Sequence, residues 1–280
     1  MAKTIVYIDG QPVDYRKASI SVFDYTLHCG IGLFESILGI NDKLVLLEEH
    51  LDRMEQGIAR LGMDNLKYNR QQITRTLYKA VKAHPAKVMK VKVLLTQGGS
   101  HLWPGSKPKP KSIVMVVEHK LQFKKQRLMI SPMIIASNNL LRGTKTLNYM
   151  TEWMSQRTAE EAGYDQGIIV NARGKIAETG SSNIFIAKKG KLYTPPLSSG
   201  CLPGITRGEV MRLAREMNIK CFEKRLSPED LADADEIFTS SSFKLIWPVV
   251  ELKLERTHTY PAGPISKMIY DRMIEKFAKQ

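Results

Sequence analysis

Two hairpin signatures stand back to back in residues 166–196, and a glycine-led helix follows them. QGIIVNARGKIAE bends at Asn171–Gly174, and SNIFIAKKGKLYTPP bends at Lys189-Gly190 and stops at two prolines. Short apolar runs broken by Asn and Gly read as antiparallel strands, because tight turns need residues that tolerate positive φ. GITRGEVMRLAREM then opens a helix near Thr206, with Val210, Leu213 and Met217 on its apolar face. The second half of the chain is therefore rich in strands. RLMISPMII and FTSSSFKLIWPVVEL add further strands, a helix is expected over 147–162, and another closes the chain after Pro264.

The first half mixes both periodicities. Val6–Ile8 and the turn Asp9-Gly10 start a sheet, and LFESILGI turns at Asn41-Asp42 into KLVLL. Leu47, Leu51, Met54, Ile58 and Leu61 then recur at steps of four, three, four and three, which is helical spacing. A second helix is expected through 70–83. Val91 and Val93 alternate with Lys90 and Lys92 in a strand, GGSHLWPGSKPKPK at 98–111 forms a loop, and SIVMVVEH resumes the sheet. The polar stretch EHKLQFKK marks a boundary, giving a small α/β domain over 1–120 and a larger one over 121–280. No internal repeat is visible.

Bulk properties narrow the function. The 280 residues are 43% hydrophobic and 25% charged, an ordinary globular balance, with no apolar run of membrane-spanning length. MAKTIVYIDG lacks an apolar signal core, so a cytoplasmic location is expected. Cys29, Cys201 and Cys221 are an odd number with no CxxC spacing, so neither a disulfide scaffold nor a metal site is suggested. The formal charge of +14 could serve nucleic-acid binding, yet the lysines are spread out and no zinc-finger, RRM or KH signature is present. Its plain reading is a solvated surface with a basic loop at KPKPK; its functional reading is attraction of phosphates and carboxylates.

On position alone, Lys145 reads as a surface lysine. The question is whether the rest of a pyridoxal phosphate site accompanies it: phosphate donors, a carboxylate for the pyridine nitrogen, and a reactive amine. PGITR at 203–207 places the N–H groups of Ile205 and Thr206 and the Thr206 hydroxyl at a helix start, where an anion is favoured, although an ordinary Thr-headed helix looks the same. Ser240–Ser242 add hydroxyls at a strand end. Arg53, three residues after His50, is a solvated helix arginine or a phosphate ligand. Glu178 in AETGSSN is an exposed strand-end glutamate or one that points into a cleft.

Together these pieces resemble the fold-type IV pyridoxal-phosphate enzymes, the class IV aminotransferases. The resemblance is carried by GIGLFESI at 30–37, EEHLDRM at 48–54, KTLN at 145–148, ETGSSNIFIAKKGKLYTPP at 178–196, LPGITR at 202–207 and FTSSSFKLIWPV at 238–249, in the family's order. It implies two domains of mixed α/β (α+β) structure, the larger with a barrel-like sheet and carrying the cofactor lysine, with the cofactor between them and a homodimer as the working unit. It implies that Lys145 binds the cofactor as a Schiff base and shuttles the substrate proton. Glu178 is implied as partner of the pyridine nitrogen. Arg53, Ile205, Thr206 and Ser242 are implied as phosphate ligands, with Ser181, Ser182, Asn183, Leu202 and Ser241 as further cofactor contacts.

Three activities share the scaffold: D-amino acid transamination, branched-chain L-amino acid transamination and aminodeoxychorismate lysis. KTLN is closer to the D-amino acid and lyase patterns, because branched-chain enzymes commonly set two glycines and then Asn-Tyr after the lysine. Tyr149 here stands one step earlier than their tyrosine. Gln97 in TQGGSHLW stands where D-amino acid enzymes carry a clamp arginine, and His101 remains nearby. Lys244 in SFKL is either a replacement anchor for the substrate carboxylate, assisted by His101 or Ser100, or a surface lysine. Phe34 and Trp247 are candidate pocket walls. The expected reaction transfers an amino group, from a D-amino acid by preference, to a 2-oxo acid such as 2-oxoglutarate or pyruvate.

Overall fold

The computed structural model describes residues 3–63, 66, 68–99, 105 and 108–279. Ser100 and His101 lie outside the described residues. The chain divides into two compact units, Met1–Leu121 with Lys145–Tyr149, and Gln122–Thr144 with Met150–Lys279.

In the first unit, β1 (Thr4–Ile8) turns through Asp9 and Gly10 into β2 (Gln11–Val13). A short helix, α1 (Tyr25–Cys29), leads to β3 (Gly32–Ile40), and Asn41-Asp42 at positive φ returns the chain as β4 (Lys43–Leu44). α2 (Leu47–Arg60), α3 (Arg70–Lys82), β5 (Val88–Thr96) and β6 (Ser112–Glu118) follow. The six strands pair antiparallel in the order β2-β1-β6-β5-β3-β4. β3 runs against β5 from Gly32 opposite Thr96 to Ile40 opposite Val88.

Side chains alternate across a strand, so Leu33, Ile37, Val91, Val93 and Leu95 share one face. Leu47, Leu51 and Met54 of α2 and Ile73, Leu77, Ala80 and Val81 of α3 close over it. Each large aliphatic buried there stabilises the unit by about 1.5–3 kcal/mol. The other face carries Phe34, Lys90, Lys92 and Leu94, and neither helix covers it by this alternation.

The second unit opens with β7 (Gln126–Ile135) and α4 (Met150–Glu161). Two hairpins follow: β8 (Gln166–Asn171) with β9 (Ile176–Thr179), then β10 (Asn183–Lys188) with β11 (Lys191–Thr194). Lys189 and Gly190 both take positive φ at the second turn, which matches the twist of the strands they join. A 3-10 turn at Leu197–Ser199 precedes α5 (Ile205–Glu216), β12 (Cys221–Glu223), α6 (Pro228–Ala232), β13 (Glu236–Ser241), β14 (Leu245–Lys253), β15 (Thr257–Thr259) and α7 (Pro264–Lys279).

Eight of these strands run β12-β11-β10-β13-β14-β7-β8-β9 and β15 adds to β14, giving one nine-stranded mixed sheet that curls into a half-barrel. Register shifts between Ile130 and Ile134 and between Val249 and Glu251 bend its strands. Leu128, Ile168, Ile184, Ile237 and Leu252 fill its core. No described helix is long and apolar enough to cross a membrane.

One placement differs from the sequence reading. Lys145 is expected in the larger second domain, yet Lys145–Tyr149 joins the first unit. Phe34 N–H donates to the Lys145 carbonyl at 3.0 Å, Leu147 N–H donates to the Gly32 carbonyl at 2.9 Å, and Leu33 and Thr146 form an antiparallel bridge. These bonds hold the segment extended beside β3. For the same reason the following helix starts at Met150 rather than at 147.

Candidate active site

β3 presents successive side chains to opposite faces, so Phe34 and Glu35 diverge. Glu35 turns toward α2 and is almost wholly buried. Arg53 donates to it from Nε at 2.8 Å and from Nη2 at 2.7 Å. His50, one helical turn earlier, places Nδ1 at 2.7 Å from Glu35 Oε2. Arg53 is therefore buried, at 9% exposure, rather than solvated. Burial alone would raise the Glu35 carboxyl, but Arg53 and the His50 hydrogen bond outweigh it and hold the group at about 2. Burial pushes the His50 imidazole down despite the carboxylate beside it, so it acts as a neutral ring donating from Nδ1. The sequence reading singled out Arg53 and missed Glu35; its signal is a lone carboxylate among the apolar residues of LFESILGI.

Phe34 points to the other face. Lys145 Nζ lies 4.3 Å from its ring centroid, and Tyr149 meets the ring edge-on at 5.6 Å. Lys92, from the neighbouring strand, sets its own amine 4.7 Å from the same centroid. Burial pulls the half-buried Lys92 ammonium below its ordinary range. Lys92 was also missed, because in MKVKVLL it reads as one of two solvent-facing lysines.

The glycines of GIG make this approach possible. A Cβ on Gly32 would stand 2.6 Å from both Leu147 Cδ1 and the Leu95 carbonyl oxygen. A Cβ on Gly30, which closes α1 at a φ of 66°, would stand 3.0 Å from Asn148 Cα. Asp24 caps α1 and also accepts from the Thr96 hydroxyl at 2.7 Å. Gln97 donates its backbone N–H to the Thr26 hydroxyl at 2.9 Å, which ties the end of β5 to this corner.

The second unit assembles a separate set. Glu178, near the end of β9, is buried and accepts at Oε1 from Arg142 Nη2 at 2.7 Å and at Oε2 from Leu202 N–H at 3.1 Å. Arg142 is a further residue that sequence reasoning did not identify. Asn183 donates to the Leu202 carbonyl at 2.9 Å and so braces the turn before α5. That helix starts at Gly204 with no side-chain cap, and a Cβ on Gly204 would meet Asn183 Oδ1 at 2.0 Å. Ile205 and buried Thr206 form its first turn.

Ser240 faces Asn183 across the sheet, its hydroxyl buried without a hydrogen-bond partner, and Ser241 and Ser242 follow it half-buried. Ser181 and Thr179 both donate to Gln166 Oε1, at 2.8 and 2.9 Å, and Ser182 is buried beside them. Lys244 Nζ donates to Ser181 Oγ at 3.0 Å and stands 4.9 Å from the Trp247 ring centroid. Trp247 in turn donates from Nε1 to the Gln122 carbonyl.

These groups match the chemistry of pyridoxal phosphate. The first unit offers a lysine amine on an aromatic ring and a buried arginine. The second offers a held carboxylate, an uncapped helix start and a buried hydroxyl with bonding capacity to spare.

Comparison with known proteins agrees. The amino-transferase class IV family matches residues 32–252. A putative branched-chain-amino-acid aminotransferase of Methanocaldococcus jannaschii is 28% identical over 95% of this chain and 94% of its own length. The D-alanine aminotransferase of Bacillus licheniformis is 25% identical over 94% of each chain. The crystal structure of a branched-chain aminotransferase from Thermoproteus uzoniensis with norvaline superposes with a TM-score of 0.87 at 26% identity, covering 96% of this chain and 92% of that one. A family match that spans both units, on a fold holding the amine, the carboxylate and the uncapped helix start, makes this chain a class IV aminotransferase dependent on pyridoxal phosphate.

Proposed function

We propose that this aminotransferase moves the amino group of a D-amino acid to a 2-oxo acid such as 2-oxoglutarate or pyruvate. The observation that carries the reading is the packing of Leu147 and Asn148 against Gly32 and Gly30. Branched-chain enzymes commonly have two glycines after the lysine. Here side chains fill that space, as the KTLN pattern of the D-amino acid and lyase enzymes requires.

In this reading Lys145 carries the cofactor and moves the proton at the substrate Cα. Bound pyridoxal phosphate supplies the electron sink that makes that proton removable. Glu178 partners the pyridine nitrogen. Arg53, Ile205, Thr206, Ser241 and Ser242 serve the phosphate, with Ser181, Ser182, Asn183 and Leu202 shaping its surroundings. Phe34, Tyr149 and Trp247 wall the substrate, and Gln97 borders it.

Two cations serve substrate carboxylates. Lys244 is the first, positioned by Ser181 and Trp247. Lys92 is the second: it shares the Phe34 ring with Lys145, and no carboxylate pairs with it among the described residues. The enzyme works as a homodimer. Val22 and Leu27 in the first unit, and Leu140, Met150 and Trp153 in the second, expose apolar side chains that a second copy would cover.

A branched-chain L-amino acid reading has support of its own, since the M. jannaschii and T. uzoniensis relatives carry that name. A half-reaction panel separates the two. Purified enzyme is mixed with D-alanine, D-glutamate, L-leucine or L-glutamate, and loss of the cofactor's absorbance is followed. Fast reaction with D-amino acids supports the proposal, and fast L-leucine with inert D-amino acids overturns it. Release of pyruvate and 4-aminobenzoate from aminodeoxychorismate, with no oxo acid added, identifies a lyase instead. Borohydride reduction is expected to fix the cofactor on Lys145 in any of these cases, and sedimentation is expected to give a dimer mass; label on another lysine, or a monomer mass, overturns the respective reading.

A further inference from the structure

We propose that Arg142 is the positioning residue that aims Glu178 at the pyridine nitrogen of the cofactor; the inference rests on the reading of Glu178 given above. Arg142 lies in the loop before Lys145, and its guanidinium has a different acceptor on each of its three nitrogens. Nε donates to the Gly200 carbonyl at 2.8 Å, Nη1 to Glu152 Oε1 at 2.7 Å and Nη2 to Glu178 Oε1 at 2.7 Å. The acceptors come from the end of the 3-10 turn, from α4 and from β9, so one planar fork locks three elements together. With Leu202 N–H on Oε2, both oxygens of Glu178 are held and its carboxylate plane is set.

The side chains of Arg142, Glu152 and Glu178 are only 10–15% exposed. Where water is largely excluded, hydrogen bonds between charged groups are strong and directional, so the fork fixes where Glu178 points. Without Arg142 this donor is lost from Oε1, and the carboxylate plane is less firmly set.

The test compares pyridoxal phosphate with its 1-deaza analogue, in which the ring nitrogen is replaced by C–H. Both ligands are titrated into the full-length apoprotein by absorbance and by quenching of intrinsic fluorescence. Wild type, Arg142→Met, Arg142→Lys, Glu152→Gln and Glu178→Gln are compared. Glu178→Gln is expected to weaken pyridoxal phosphate while leaving the deaza analogue within about twofold. Arg142→Met should do the same, with a loss on the order of tenfold for the natural cofactor, the scale of a charge-assisted hydrogen bond. Arg142→Lys should recover part of that loss, because a point charge cannot serve all three acceptors at once.

If Arg142→Met weakens both ligands equally, or neither, Arg142 is scaffolding and the proposal falls. If Glu178→Gln itself treats the two ligands alike, the reading of Glu178 fails first. Discrimination by Glu178→Gln but not by Arg142→Met overturns the Arg142 inference alone. Should Arg142→Met fail to fold, Arg142→Lys and Glu152→Gln carry the same comparison, and a ligand-independent effect in both overturns the proposal.

Discussion

Arg53 and Glu35 meet through two hydrogen bonds, Nε to Oε1 at 2.8 Å and Nη2 to Oε2 at 2.7 Å, with both side chains buried. His50 bonds the same carboxylate, so two helix residues one turn apart share one acceptor on the strand beneath them. The pair fixes the arginine's direction, so that in its proposed role Arg53 would meet the phosphate already oriented.

Arg53→Ala should be severely destabilising, because it leaves Glu35 buried with only a neutral imidazole beside it. Breaking a buried pair from one side costs about 3–5 kcal/mol. Arg60→Ala, at the exposed end of the same helix, should stay within about 0.5 kcal/mol of wild type. Urea denaturation measures the difference. Cofactor titration should show Arg53→Ala losing affinity at least about tenfold more than Arg60→Ala; equal affinities would remove Arg53 from the phosphate site.

Acid should weaken the fold in two stages. The buried His50 takes up a proton less readily than in the unfolded chain, so stability begins to fall as pH drops below its ordinary value of 6.5. Glu35, held at about 2 against an ordinary 4.5, contributes fully above pH 4.5 and loses that contribution as pH falls toward 2. Calorimetric Tm values for wild type and Glu35→Gln should therefore differ most near neutrality and converge below pH 4.5. A constant gap across that window would assign the decline to other groups.

Lys92→Met should raise KM for 2-oxo acids by about tenfold or more while leaving kcat within about twofold, the signature of a lost binding charge. The half-reaction with (R)-1-phenylethylamine, which has no carboxylate, should be unchanged. An equal slowing of acids and amine would mean that Lys92 acts on Lys145 rather than on the substrate.

Gly32→Ala should cost about 1–3 kcal/mol, because its Cβ collides with a backbone oxygen that cannot retreat. Activity should fall with it, since Leu147 N–H holds the Lys145 segment to the Gly32 carbonyl. Gly208→Ala, inside α5 with nothing within 4 Å of the added methyl, should instead stabilise the protein by up to about 1 kcal/mol. Chemical denaturation of the two variants checks both signs.

Elements whose signals lie within a turn or two of chain were legible from the residues themselves. Leu47, Leu51 and Met54 specified α2 and its buried face, and Lys189-Gly190 specified the β10–β11 turn. Lys145, Glu178 and LPGITR stood out by their order along the chain, through resemblance. Glu35 shares the face of Leu33 and Ile37 by the alternation of β3, yet the residues of LFESILGI did not single it out. It carried no information about which helix residues would stand opposite.

The sequence by itself determined most of the longer strands and helices, and where the candidate amine, carboxylate and glycine-led helix start fall along the chain. Only the tertiary structure decided that Glu35 belongs to Arg53 and His50, that Arg142 joins Glu152 to Glu178, that Lys92 shares the Phe34 ring with Lys145, and that Lys145–Tyr149 packs with the first unit. Turn and helix preferences come from sterics and burial within a few residues. Contacts between residues far apart in the chain depend on which strands become neighbours, and that order is settled by the pairing and burial of the whole sheet rather than by the residues that finally touch.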